Sequence, residues 1–167
     1  MEKENLFKWK HYQPDIILLN VRWYLRYNLS FRDLVEMMEE RGLFIAHTTI
    51  MRWVHQYGHE LDKRVRRYLK SINDSWRVDE TYIKVKGQWI GIQIRQVKYL
   101  NNIVEQDHRF IKKRVRSMLG LKSFSTATSV ISGIEAMHMV KKGQLVLRDK
   151  SVQNQVKFIH ELFGVAV

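Results

Sequence analysis

The strongest constraint in this sequence is a pattern of spacing. Between Ile16 and Leu61 the apolar residues recur every three or four positions in three blocks, each bounded by residues that start or stop helices. Pro14 opens the first block, where its missing N–H costs nothing because first-turn amides have no partner inside a helix. The following Ile16–Tyr27 segment is apolar on most sides, as a centrally packed helix would be. Ser30 then caps a second helix, in which Phe31, Leu34, Val35 and Met38 form one stripe and Arg32, Asp33, Glu36, Glu39 and Glu40 take the wet face. Gly42 ends it, and Leu43–Ala46 leads to a third helix capped near His47 or Thr48. Ile50, Trp53, Val54, Tyr57 and Leu61 make its buried stripe and leave Thr49, Arg52, His55 and Gln56 outside.

Helix, glycine-containing turn, helix is the helix-turn-helix pattern, and Thr48, Thr49, Arg52, His55 and Gln56 are its candidate DNA-contacting residues. Thr, Arg and Gln reach base edges or phosphates. A plain three-helix bundle with a polar surface would have the same spacing, and charge tips the balance toward DNA. The 167 residues hold 29 Lys and Arg against 17 Asp and Glu, a formal +12. That excess favours a polyanionic partner. Most of it lies after residue 75, with its sharpest cluster at Arg109, Lys112, Lys113, Arg114 and Arg116. A solvated helix face would account for such a run, and a track of phosphate contacts accounts for it together with the net excess. Absence of Cys excludes a disulfide scaffold, a thiolate zinc site and a cysteine nucleophile. With no membrane-length apolar run and no signal peptide at Met1-Glu2-Lys3-Glu4, the expectation is a soluble cytoplasmic protein associated with the nucleoid.

From Trp76 the period changes from helical to alternating. Residues 76–85 are rich in β-branched and aromatic side chains, Lys86-Gly87-Gln88 supplies a turn, and Trp89–Ile94 reads as a second strand. Helices are expected over Asn101–Met118, over Ser125–Met139 and after Ser151, the last with Val152, Val156, Ile159 and Phe163 on one side. The fold class is therefore mainly α with a short β-hairpin. The division is a helix-turn-helix domain over 1–70, expected to fold alone, and a second unit over 76–167.

Two acids stand out in the second unit. Asp79 interrupts a strand of core-forming residues, and Glu105 precedes the cationic cluster. Each alone is an ordinary surface charge; together they suggest hard oxygen donors for Mg²⁺ beside a phosphodiester. The stretches SFRDLVEMMEERG, HTTIMRWV, WRVDETYIKVKGQW and KYLNNIVEQDHRFIKKRVRSMLGLKSF resemble, in order, a bacterial insertion-sequence transposase of the insertion-sequence-six family. The resemblance implies an N-terminal helix-turn-helix, an RNase H-like α/β core with a DDE triad, Mg²⁺ or Mn²⁺ as cofactor, and double-stranded DNA with terminal inverted repeats as partner. It assigns Asp79 as the first triad acid, Glu105 as the third and Lys112 as a DNA-contacting base.

The second triad Asp has no counterpart. Asp79 and Glu105 are 26 positions apart, and residues 80–104 contain no Asp. Glu80 belongs to the opposite face of the strand, Asp107 points away on a helix, and Asp149 falls in a distant loop. The sequence thus reads as an internal deletion joined near Trp89–Arg95, leaving a truncated core and a catalytically defective copy. The alternative is a non-catalytic helix-turn-helix protein that inhibits or co-assembles with full-length transposase. Composition alone would also admit a basic RNA-binding protein.

Overall fold

The computed structural model describes residues 6–8, 10–70, 76–85, 88–97, 109–115, 123–146 and 151–166. Among these the chain is mainly helical, and the helices begin and end where local chemistry directs. Helix α1 (Pro14–Arg26) carries Pro at its start, Asp15 in the first turn and Arg26 in the last, each sign matched to the helix dipole. Helix α2 (Phe31–Glu39) is fixed by a capping box: the Asp33 amide donates to Ser30 Oγ at 3.1 Å, and the Ser30 amide donates to Asp33 Oδ2 at 2.6 Å. Ser30→Ala is expected to cost about 1 kcal/mol, read as a Tm lower by roughly 2–4 °C. Gly42 adopts φ +73°, and the Leu43 amide returns to the Met38 carbonyl at 2.9 Å, closing the turn.

Helix α3 (His47–Val65) starts from Ala46 and has no side-chain cap, in place of the expected cap at His47 or Thr48. Buried Ile45 ties the linking segment into the core instead. All five apolar residues expected to line α3 are buried. A single 3₁₀ turn, Arg66–Tyr68, follows. Strands β1 (Trp76–Val85) and β2 (Gln88–Val97) pair antiparallel along their whole length, with Asp79 opposite Ile94. The hairpin is as expected, with β2 four residues longer, one at its start and three at its end, and it is a two-stranded sheet among the described residues.

Helix α4 covers residues 109–115, the described part of the helix expected over 101–118. Helix α5 (Phe124–Lys142) runs from Ser123, which accepts from the Thr126 amide, to left-handed Gly143. Helix α6 (Val152–Phe163) runs from its Ser151 cap to left-handed Gly164. Its buried side is Gln155, Phe158, Ile159, Leu162 and Phe163; Val152 is exposed, so the stripe is rotated from the one expected.

One hydrophobic core joins α1, α2, α3, α5 and α6, from Ile17 and Leu34 through Tyr57 to Ile134, Met137 and Phe163. Helices from after residue 76 share this core with the first three. Phe163 packs its ring against Phe7 and Tyr57. A short antiparallel bridge, Leu69 with Leu145, ties the end of the first half to the chain leaving α5, with Lys70 donating to Gln144 and Val146 donating to Tyr68.

Candidate nucleic-acid interface

Helix α3 is sandwiched by the core on one side and α5 on another, which leaves one side for solvent. At the crossing with α5 the two helices meet glycine to glycine. A Cβ added at Gly58 would come within 2.8 Å of the Ser129 carbonyl oxygen, and one at Gly133 within 2.9 Å of the Gly58 Cα. The Ser129 hydroxyl donates to the His55 carbonyl across the same seam. One turn further on, Asp62 accepts from Arg66 Nε at 2.8 Å, and Arg66 Nη2 lies 3.9 Å from Glu135 Oε2 of α5. Burial first, and Asp62 second, push the Glu135 carboxyl up to about 7, with Arg66 opposing.

The remaining side of α3 carries Thr48, Arg52, Gln56, His59 and Lys63, all exposed. Steps of four, four, three and four keep them on one face of a helix with 3.6 residues per turn. Lys10 reaches this stripe and donates to Gln56 Oε1 at 3.2 Å. Thr49 and His55, expected outside, are half-buried on its flanks; burial by the α5 seam lowers the His55 pKa below its ordinary value. His59 and Lys63 are not among the candidates that the sequence assigns to this face, although the helical period continued past Gln56 reaches both. Arg66 and Arg67 extend the exposed positive charge beyond the helix end.

Helix α4 divides its cations. Phe110 stacks on His138 of α5 and Ile111 is buried, so Arg109, Lys112 and Lys113 lie on the exposed side. Arg114 corrects the expectation of a DNA contact. It is 3% exposed, its Nη1 donates to Asn28 Oδ1 at 3.0 Å, and its guanidinium lies 5.2 Å from the Tyr24 ring centroid. Five cations in eight positions wrap most of a helix, and Arg114 falls on the side that Phe110 and Ile111 bury. Buried Tyr24 is pushed up to about 12 by that burial, with Arg114 opposing. Arg116 and Glu105 lie outside the described residues.

Asp79 occupies the fourth position of β1. Among the described residues no group of three His, Asp or Glu side chains could hold a metal ion. The Asp62–Glu135 carboxyl pair is held by Arg66, which suits a helix-to-helix contact and not a cation site. No described helix is long and apolar enough to cross a membrane.

A family model described as a DDE domain matches residues 90–144. The transposase of the insertion sequence-like element IS431mec from Staphylococcus aureus strain N315 is 29% identical over 203 residues, covering 83% of this chain and 89% of the relative. The transposase of insertion sequence element IS257 in transposon Tn4003, also from Staphylococcus aureus, matches with the same identity and coverage. The DDE-domain match and these relatives support a transposase of the insertion-sequence-six family. No solved structure matches it. The matched 83% of this 167-residue chain is about 139 residues against 203 aligned positions. About 60 positions within the aligned span of the relative therefore have no counterpart here. The DDE-domain match begins inside β2 and takes in α4 and α5, so the Gly58–Gly133 seam joins it to the helix that carries the exposed stripe.

Proposed function

We propose that this chain is a transposase-derived protein that grips the terminal inverted repeats of its element through α3 and does not complete strand transfer alone. The observation that carries the reading is the stripe Thr48, Arg52, Gln56, His59 and Lys63, exposed on the second helix of an α2–turn–α3 pair in a chain of net charge +12. A helix in this position places such residues in the major groove, where Arg reads guanine and Gln reads adenine, while Lys63 and Lys10 meet phosphates. Thr49 and His55 flank that contact, and the resemblance to insertion-sequence-six transposases carries Arg109, Lys112, Lys113 and Arg116 over as further DNA contacts. Arg114 is left out because it is buried.

The C-terminal half is a remnant of an RNase H-like core in which Asp79 and Glu105 would supply carboxylate oxygens to Mg²⁺ or Mn²⁺. Bound there, the ions would polarise a scissile phosphodiester and activate the attacking oxygen. Two carboxylates without the second triad Asp form an incomplete frame for a metal pair, and no reaction step is assigned to this chain. The gap of about 60 aligned positions supports an internal deletion, and the absence of Asp between positions 80 and 104 is the reason for assigning it to that stretch. A product that keeps the DNA grip and lacks turnover would compete with full-length transposase for element ends, or join it there.

Salt-dependent binding to a terminal-repeat duplex against a scrambled duplex tests the first half of this reading. Arg52→Ala combined with Lys63→Ala is expected to weaken repeat binding by roughly 10–100-fold and to flatten the salt dependence. Equal affinity for both duplexes would remove the specific-binding claim. Mg²⁺-dependent nicking or joining by the purified chain, lost in Asp79→Ala, would remove the claim of catalytic incompetence.

A further inference from the structure

The seam between α1 and α6 holds a second, separate concentration of positive charge. Arg22 and Arg26 lie one turn apart on the side of α1 that meets α6. Arg22 is 5% exposed, and its Nε and Nη2 are sealed from solvent with no acceptor. The Nε of Arg26 is in the same condition, while its Nη1 donates to Oε1 of Gln155, a residue 2% exposed on α6. Among the described residues neither guanidinium forms a salt bridge. Asp15, the acid on this face of α1, is exposed and two helical turns before Arg22, roughly 10 Å along the axis. Arg22 shares a side-chain hydrogen bond with Tyr27, and the Arg26 guanidinium lies 5.5 Å from the centroid of the same ring, but a neutral phenol is no counter-ion.

Two neighbouring guanidiniums, one buried and one half-buried, repel each other and lose hydration, a cost that an anion shared between them would offset. The planar N–H forks of two neighbouring guanidiniums suit the oxygens of a tetrahedral oxyanion. Access is from the end of α1, where Arg26 is only half-buried and Tyr27 is 42% exposed. We propose that Arg22 and Arg26, with Gln155 holding Arg26 in place, form a binding site for a phosphate group in the α1–α6 seam. The stripe on α3 takes no part in it, so the site stands or falls apart from the reading of α3. Its phosphate comes either from a DNA backbone or from a free phosphate, and the chemistry of recognition is the same for both.

The test is thermal unfolding of the full chain in chloride at fixed ionic strength, with inorganic phosphate added in increasing amounts. The expected result is a saturable rise in Tm, roughly 5–10 °C at about a hundredfold excess over Kd. Arg22→Met should abolish the rise and leave the phosphate-free Tm unchanged or higher, because an uncompensated buried charge has gone. Arg26→Gln, at a half-exposed position that does not threaten folding, should weaken the apparent phosphate affinity at least several-fold. In a second arm the same variants are titrated with a duplex lacking terminal repeats. Weaker duplex binding with a salt slope reduced by about one assigns the phosphate to DNA. Unchanged duplex binding with a lost phosphate response assigns it to a free phosphate. A response to phosphate no larger than to chloride, or equal in the parent and in Arg26→Gln, would overturn the site.

Discussion

Replacing Gly58 by Val is expected to lower the melting temperature by roughly 6–12 °C, corresponding to about 3 kcal/mol for a chain of this size. The atom in the way is a backbone oxygen. A Cβ at this position would stand 2.8 Å from the Ser129 carbonyl, and no rotamer change relieves that contact. Either α5 moves outward, opening space around Ile134 and Met137, or α3 shifts within the core. Val adds two γ-methyls to an overlap that Ala alone would already create. In an isolated helix Gly→Ala is favourable by about 1 kcal/mol, so the sign of Gly58→Ala reports whether tertiary contact outweighs propensity. Differential scanning calorimetry of both variants measures this. A Gly58→Val protein as stable as its parent would mean that α5 does not lie on α3.

Glu135→Gln should act in the opposite direction and only at higher pH. The Glu135 carboxyl titrates near 7 in the fold and at its ordinary 4.5 when unfolded. Between those values the native chain holds the extra proton, so this group's contribution to stability is complete below pH 4.5 and is lost as pH rises through 7. At pH 8 the parent carries a carboxylate beside Asp62 with its side chain only 14% exposed, and Arg66 at 3.9 Å compensates incompletely. Gln keeps the shape without the charge. The variant is expected to be more stable at pH 8 by on the order of 2 kcal/mol and indistinguishable near pH 4.5. Urea melts at both pH values measure the difference. A parent whose stability does not fall between pH 5 and 8 relative to the variant would contradict the assignment.

Much of the fold was legible residue by residue, because caps and stops act locally. Pro14, Ser30, Gly42 and Ser151 mark element ends through bonds or torsions that involve only their neighbours. The buried stripe of α3 followed from its period, and the hairpin from alternation around Lys86-Gly87. What escaped the sequence was every choice made by a distant partner. Nothing around Gly58 announces that Gly133 will meet it 75 positions later. Arg114 reads as one more surface cation until Tyr24 and Asn28 are seen to receive it. Helix α5 buries Ala127, Val130, Ile131, Ile134, Ala136, Met137 and Val140 around much of its circumference, so its sequence does not disclose which neighbour it faces. Thr48, Arg52 and Gln56 were foreseeable as exposed, whereas the half-burial of His55 depends on that same helix.

The ring contact of Phe163 with Phe7 and Tyr57 carries a consequence for synthesis. During translation the helix proposed to touch DNA emerges well before the residues that brace its far side. Until α6 has cleared the ribosome, Tyr57 lacks one of its aromatic neighbours and α3 stands on an unfinished support. A nascent chain stalled after α5 should accordingly be sensitive to protease throughout its first sixty residues, and protection should arrive in one step with the final helix.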